Sequence, residues 1–238
     1  MLQYLFMALV FFLAGVAPEL SGFGVATISM ALLPFILPLS VAIPLVAIIS
    51  VLATGIVALQ TKTQGVRKHV QPLLVGSVVG VLLGMLFLKT IDEQLLKTTL
   101  SIFLISYAVF GIFFKGHLLP VGNRSGRVIG FVAGFLGASF NVHGPLVGIY
   151  SSANDKLNKT QTKDIVATYM FLTGLFTITG HAIFGRITDE VLLYVLFAIP
   201  FLSLGLMVGK RSFQKVSVVW IKRGVYFVVL LAGTALLF

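Results

Sequence analysis

The chain has no cysteine, a single tryptophan and only seven acidic side chains in 238 residues. Without thiols there is no disulfide framework, no thiolate zinc site, no iron–sulfur cluster and no cysteine nucleophile. Charge is scarce as well: 10% of the residues are charged and 58% hydrophobic, where an ordinary soluble domain carries roughly 25% charge. That balance excludes a soluble globular protein. No G-x-x-x-x-G-K-[ST], H-E-x-x-H or G-x-S-x-G motif occurs, and four scattered histidines make no di-histidine centre, so no enzyme activity, cofactor or resident metal is expected. The first charged residue is Glu19. A positive n-region is therefore missing, and residues 2–17 read as part of the membrane domain, not as a cleaved signal.

Seventeen Lys and Arg give a net charge of +10. They sit in short clusters between apolar stretches, which marks them as topology signals; a nucleic-acid partner is not expected. An apolar helix of ~20 residues crosses the ~30 Å hydrocarbon layer. By that measure six full spans are expected, over 41–59, 70–88, 95–114, 164–184, 190–208 and 219–238. Residues 2–38 and 127–150 are apolar too, but Pro18 to Gly24 and Ser139 to Pro145 interrupt them. Each of these regions is expected to be a pair of short half-helices meeting at a break, near 14 to 16 residues per arm in the first. Backbone of that kind is tolerated at membrane depth only where protein or a water-filled cavity satisfies it.

The halves repeat one another. Ala14-Gly15 recurs as Ala133-Gly134 and Thr54-Gly55 as Thr173-Gly174, both at an offset of 119, while Leu83-Gly84 answers Leu204-Gly205 at 121. If each broken region dips in and returns to its own side, the connections on one face carry twelve Lys and Arg: Lys62, Arg67, Lys68, Lys115, Arg124, Arg127, Lys156, Lys159, Lys163, Lys210, Arg211 and Lys215. The other face has three: Lys89, Lys97 and Arg186. The excess marks the cytoplasmic side. The fold class expected is therefore all-α, a polytopic integral membrane protein forming one domain over 1–238. Two inverted repeats, 1–119 and 120–238, each hold a broken or re-entrant helical hairpin and three transmembrane helices, and both termini face outward.

Broken helices in inverted repeats put a substrate site near the midplane, where half-helix N-termini offer N–H groups and a positive dipole end to an anion. The substrate-binding candidates are Ser21, Gly22 and Gly24 in the first break and Asn141, His143, Gly144 and Pro145 in the second. Glu19 and His143 are ionisable groups inside apolar stretches, which makes them candidates for proton coupling. A helix N-cap at the outer interface is the structural reading of Glu19. His181, near the outer end of its span, reads as interfacial, and Gly15, Gly80, Gly84 and Gly205 read as helix-packing positions.

Two runs carry a resemblance. Ser21-Gly22-Phe23-Gly24, Leu33-Pro34 and the segment from Leu37-Pro38 to Val46 resemble the first repeat of the TauE/SafE family of sulfite and organosulfonate transporters. His143-Gly144-Pro145-Leu146-Val147, with Asp155-Lys156 and Ala167-Thr168, resembles the second. Asn141 and His143 stand where many relatives have Gly or Ser. The resemblance implies a secondary transporter of the bacterial inner membrane that moves sulfite, an organosulfonate or another sulfur-containing organic acid. Its partners are the small anion and the lipid bilayer, and a homodimer stays open. The alternatives are a channel or metal-cation permease using Glu19 and His143, and a non-transporting membrane assembly partner.

Overall fold

The computed structural model describes residues 1–21, 25–60, 65–113, 122–154, 157–212 and 218–237. Among them the chain is helical throughout: α1 (Leu2–Ser21), α2 (Val25–Leu32), a 3-10 turn (Leu33–Phe35), α3 (Leu39–Gln60), α4 (Val66–Thr90), α5 (Glu93–Phe113), α6 (Asn123–Phe140), α7 (Gly144–Ser152), α8 (Lys159–Ile183), α9 (Asp189–Ser212) and α10 (Val218–Ala235). Five helices are long and apolar enough to cross a membrane, over Leu39–Ile56, Val66–Thr90, Glu93–Phe113, Thr160–Ile183 and Asp189–Arg211. The sixth expected span falls on α10, Val218–Ala235, which holds the apolar stretch Arg223–Ala235.

Helices begin where the sequence supplies caps. Asp92 accepts from the Leu95 N–H at 2.9 Å. Asn158 and Gln161 exchange side-chain and backbone bonds in a capping box at 2.8 and 2.9 Å, and Thr188 accepts from the Val191 N–H at 3.3 Å. Such bonds satisfy N–H groups that no intrahelical carbonyl reaches. Pro44, Pro72 and Pro200 lie inside helices without ending them, as membrane helices allow when neighbours satisfy the freed carbonyl.

The broken regions are lopsided. α1 runs through Pro18 for 20 residues and its return arm α2 has eight; α6 has 18 residues and α7 nine. The equal half-helices expected for the first region are corrected to a long arm of ~30 Å and a short return. The reason is that one proline does not stop a helix in an apolar setting. Both hairpins do return to the side on which they start: Gln3 donates to the Ile36 carbonyl at 3.4 Å, and the Tyr150 hydroxyl donates to the Gly122 carbonyl at 3.0 Å.

Two compact units form, and each mixes the two sequence halves. One comprises Met1–Ile49, Ile91–Lys115 and Arg186–Phe238, the other Ser50–Thr90 and Gly116–Gly185. Within the first, α1 and α9 run parallel: Tyr4 meets Phe197 edge-on with ring centroids 5.5 Å apart, while Gly15 lies against the backbone of Leu202 and Leu206. α5 and α10 run antiparallel, with Tyr107 and Tyr226 5.6 Å apart and Gly233 against Leu104 and Ile105. Glu93 accepts from the Leu39 N–H at 3.3 Å, placing the starts of α3 and α5 together.

Within the second unit α4 and α6 are parallel and nearly touch. Gly76, Gly80 and Gly84 on α4 face the backbone of Arg127, Phe131 and Phe135, and Gly130 and Gly134 on α6 face Leu73 and Ser77. A Cβ at these positions would meet backbone, so small residues are what allows the approach. α8 lies parallel to them, since Gly180 packs on Met85 and the Lys89 ammonium sits 5.8 Å from the Phe184 ring centre. The segments holding Arg67, Arg124 and Arg127 therefore share one end of this unit and Lys89 the other. Leu82, Leu83 and Leu86 on α4 and Leu192, Leu193 and Leu196 on α9 are exposed; such rows are lipid-facing in a membrane protein.

Candidate substrate site

The second break occupies Asn141 to His143, narrower than the expected Ser139 to Pro145, because α6 continues through Ser139 and Phe140. Asn141 is the C-cap of α6 at φ 59°, and its N–H donates to the Gly137 carbonyl at 2.9 Å. It is the one non-glycine residue with positive φ among those described. Asn tolerates this left-handed turn better than most side chains, which is what an abrupt helix end requires. His143 is the N-cap of α7, with Gly144 and Pro145 opening its first turn. Proline there sacrifices no intrahelical bond, and the Gly144 and Leu146 N–H groups are left at the positive end of the α7 dipole.

His143 is 3% exposed, and neither ring nitrogen has a hydrogen-bond partner. Its ring stands edge-on to Tyr169 of α8, centroids 6.0 Å apart. Gly137, one turn before the end of α6, makes room for that ring, since a Cβ there would collide with it. Tyr169 is fully buried and donates to the Gly130 carbonyl at 3.4 Å. Its hydroxyl also faces Ser77 and Thr173. Met170 lies against the α carbon of Gly144. The floor of this unit is apolar, built from Val66, Val70, Leu73, Ile129, Ala133, Val147 and Ile165. Burying a polar ring there without a partner is costly, and the imidazole stands beside the N-terminus of α7.

The sequence candidates divide accordingly. Asn141, His143, Gly144 and Pro145 come together at the second break. Gly22 and Gly24 lie outside the described residues, as do Lys62, Lys115, Asp155, Lys156 and Lys215 of the charge and family patterns. Ser21 ends α1. Glu19 lies in the last turn of α1, inside the helix, so it is not the N-cap expected. His181, two residues before the end of α8, is fully buried and so sits on the protein-facing side of that helix. Tyr169 escaped the sequence reading because an aromatic in an apolar helix reads as core. Its spacing of four from Thr173 was the signal.

Among the described residues the chain is helical, with five helices long and apolar enough to cross a membrane, which fits a polytopic membrane protein. The family Sulfite exporter TauE/SafE matches residues 7–236, and the chain belongs to that family, whose members are membrane transporters, not enzymes. No curated protein and no solved structure matches it.

Proposed function

We propose that the chain is a secondary transporter for sulfite or a closely related sulfur-containing anion, binding it at the break between α6 and α7. The observation that carries the reading is the buried His143, unpartnered at the N-terminal end of α7 next to Asn141. A donor imidazole, an amide and free N–H groups match an oxyanion. Membership of a sulfite exporter family supports the substrate class. The mechanism proposed is alternating access between inverted repeats, with His143 and Glu19 as proton carriers. The pairing of α1 with α9 and of α6 with α4, both through repeat-related glycines, supports the duplication. The charge asymmetry supports a bacterial inner-membrane setting with both termini outside.

Purified protein in proteoliposomes is tested with sulfite, sulfoacetate, taurine, thiosulfate and divalent metals. Saturable flux of a sulfur anion is expected. Flux of a metal cation without anion flux would make the chain a cation permease instead, and non-saturating conductance would make it a channel.

A further inference from the structure

Threonine in an apolar helix ordinarily satisfies its hydroxyl by donating to the carbonyl one turn back. Thr54, Thr98, Thr99, Thr179 and Thr234 all do so, at 2.7, 2.9, 2.8, 2.9 and 3.1 Å. Thr173 and Thr177 do not. Both are at most 1% exposed, and the Oγ1 of each has no hydrogen-bond partner. The helix does not forbid the bond, since Thr179, two residues on and on the exposed face of α8, makes it. Thr54, which the offset of 119 pairs with Thr173, makes it as well. Thr168 of the same helix and Ser29, Ser50 and Ser151 elsewhere are also unpartnered, so what sets Thr173 and Thr177 apart is that they share one fully buried row of α8.

That face is continuous. Tyr169, Thr173, Thr177 and His181 are spaced by four and all buried, so they form one row over ~18 Å of helix. It begins beside His143, whose ring abuts Tyr169. Neighbouring helices of the same unit add hydroxyls at matching depth. Ser77 of α4 faces Tyr169. Ser139 of α6, buried with an unpartnered Oγ, lies against Gly84; the next residue of α4, Met85, packs on Gly180, which places Ser139 near the level of Gly180, between Thr177 and His181 along α8. No Lys or Arg is among the buried residues described.

We infer that Thr173 and Thr177, with Tyr169 and Ser139, are a hydroxyl-lined track for the transported oxyanion, leading from the break at His143 toward His181. The inference rests on the transporter reading above and assigns the track's ligand as a small sulfur oxyanion. Hydroxyls replace the anion's water with O–H donors but carry no fixed charge. Binding at each is strong enough to draw the ion out of water and weak enough to release it to the next donor, ~6 Å along the helix. A buried ammonium in the same place would hold the ion.

Exchange of radiolabelled sulfite is measured in proteoliposomes for the parental chain, Thr173→Val, Thr177→Val, the double variant, the matching Thr→Ser variants and Thr179→Val. Valine keeps the shape and removes the donor. The half-saturation concentration is expected to rise about tenfold or more in the double variant, to recover with serine and to stay parental in Thr179→Val. Should the double variant fail to fold, the single variants carry the same comparison. Parental half-saturation and rate in the valine variants overturns the track while leaving the transporter reading intact. So does intact exchange with loss of pH-gradient-driven accumulation alone, which makes the row a proton path. A parental chain inert toward every sulfur anion overturns the transporter reading, and the track with it.

Discussion

The phenolic hydroxyl of Tyr150, near the end of α7, donates to the carbonyl of Gly122 at the start of α6, 3.0 Å away. This bond ties the mouth of the second hairpin shut on the side where it opens, and Gln3 and Ile36 do the same for the first. In the second hairpin the break at Asn141 to His143 is then the end farthest from that bond. Tyr150→Phe removes one partly buried bond, worth about 1 kcal/mol. A fall of roughly 2–4 °C in the melting temperature in detergent is expected, with substrate affinity unchanged. An unchanged melting temperature would mean that apolar packing of the ring alone closes the hairpin.

Glycines on the helix pairs are not interchangeable. A Cβ at Gly84 would stand 2.7 Å from the Phe135 carbonyl oxygen and 2.9 Å from the Ala138 Cβ, whereas at Gly148 nothing lies within 4 Å. Gly84→Ala should destabilise by roughly 1–3 kcal/mol, because helix backbone cannot yield locally. Gly148→Ala should be neutral or gain about 0.5–1 kcal/mol from helix propensity. Thermal melts of the two variants side by side decide the matter, and equal melting temperatures would refute the close α4–α6 contact.

Asn141 has two roles that one variant confounds. Asn141→Ala removes the amide and with it the short polar side chain that lets a residue with a Cβ hold φ 59°, costing about 1 kcal/mol. Asn141→Gly removes the whole side chain, amide included, and holds the left-handed turn without strain. It is expected to melt close to the parental temperature and to lose sulfite binding. If it binds as the parent does, Asn141 serves the helix end and not the anion.

Uptake driven by a pH gradient should be lost in His143→Gln and Glu19→Gln, while exchange without a gradient persists. A neutral isostere keeps shape and some hydrogen bonding but cannot carry a proton. Parental pH dependence in both variants removes these residues as proton carriers.

Single cysteines placed in this cysteine-free chain report sidedness directly. With an impermeant thiol reagent added outside intact cells, labelling is expected at Lys89 and Arg186 and protection at Arg67, Arg124, Lys159 and Lys210. Labelling at Arg124 with protection at Arg186 would sink the proposed orientation.

The sequence by itself determined that this is a helical membrane protein, where its spans lie and that its polar residues gather at two interruptions. Hydrocarbon length and the cost of unpaired backbone in lipid act locally, so they can be read in a window of residues. It marked Asn141 as a donor and Gly144 as a point of close backbone approach; that Asn141 is the left-handed end of α6 is a feature of the folded chain. The unequal hairpin arms were not legible, because whether Pro18 stops α1 depends on neighbours that satisfy the freed carbonyl. Nor was the burial of His181, or the difference between Thr173 and its repeat counterpart Thr54. Both residues have the same chemistry and similar flanks. Only packing decides which face of a helix meets protein and which meets lipid, and hence which hydroxyl is left without the carbonyl one turn back. The tertiary structure also drew α4 into one unit with α6–α8, across the midpoint of the sequence, because the backbone contact through Gly76, Gly80, Gly84, Gly130 and Gly134 needs two helices whose small residues face each other, and no window of sequence contains both.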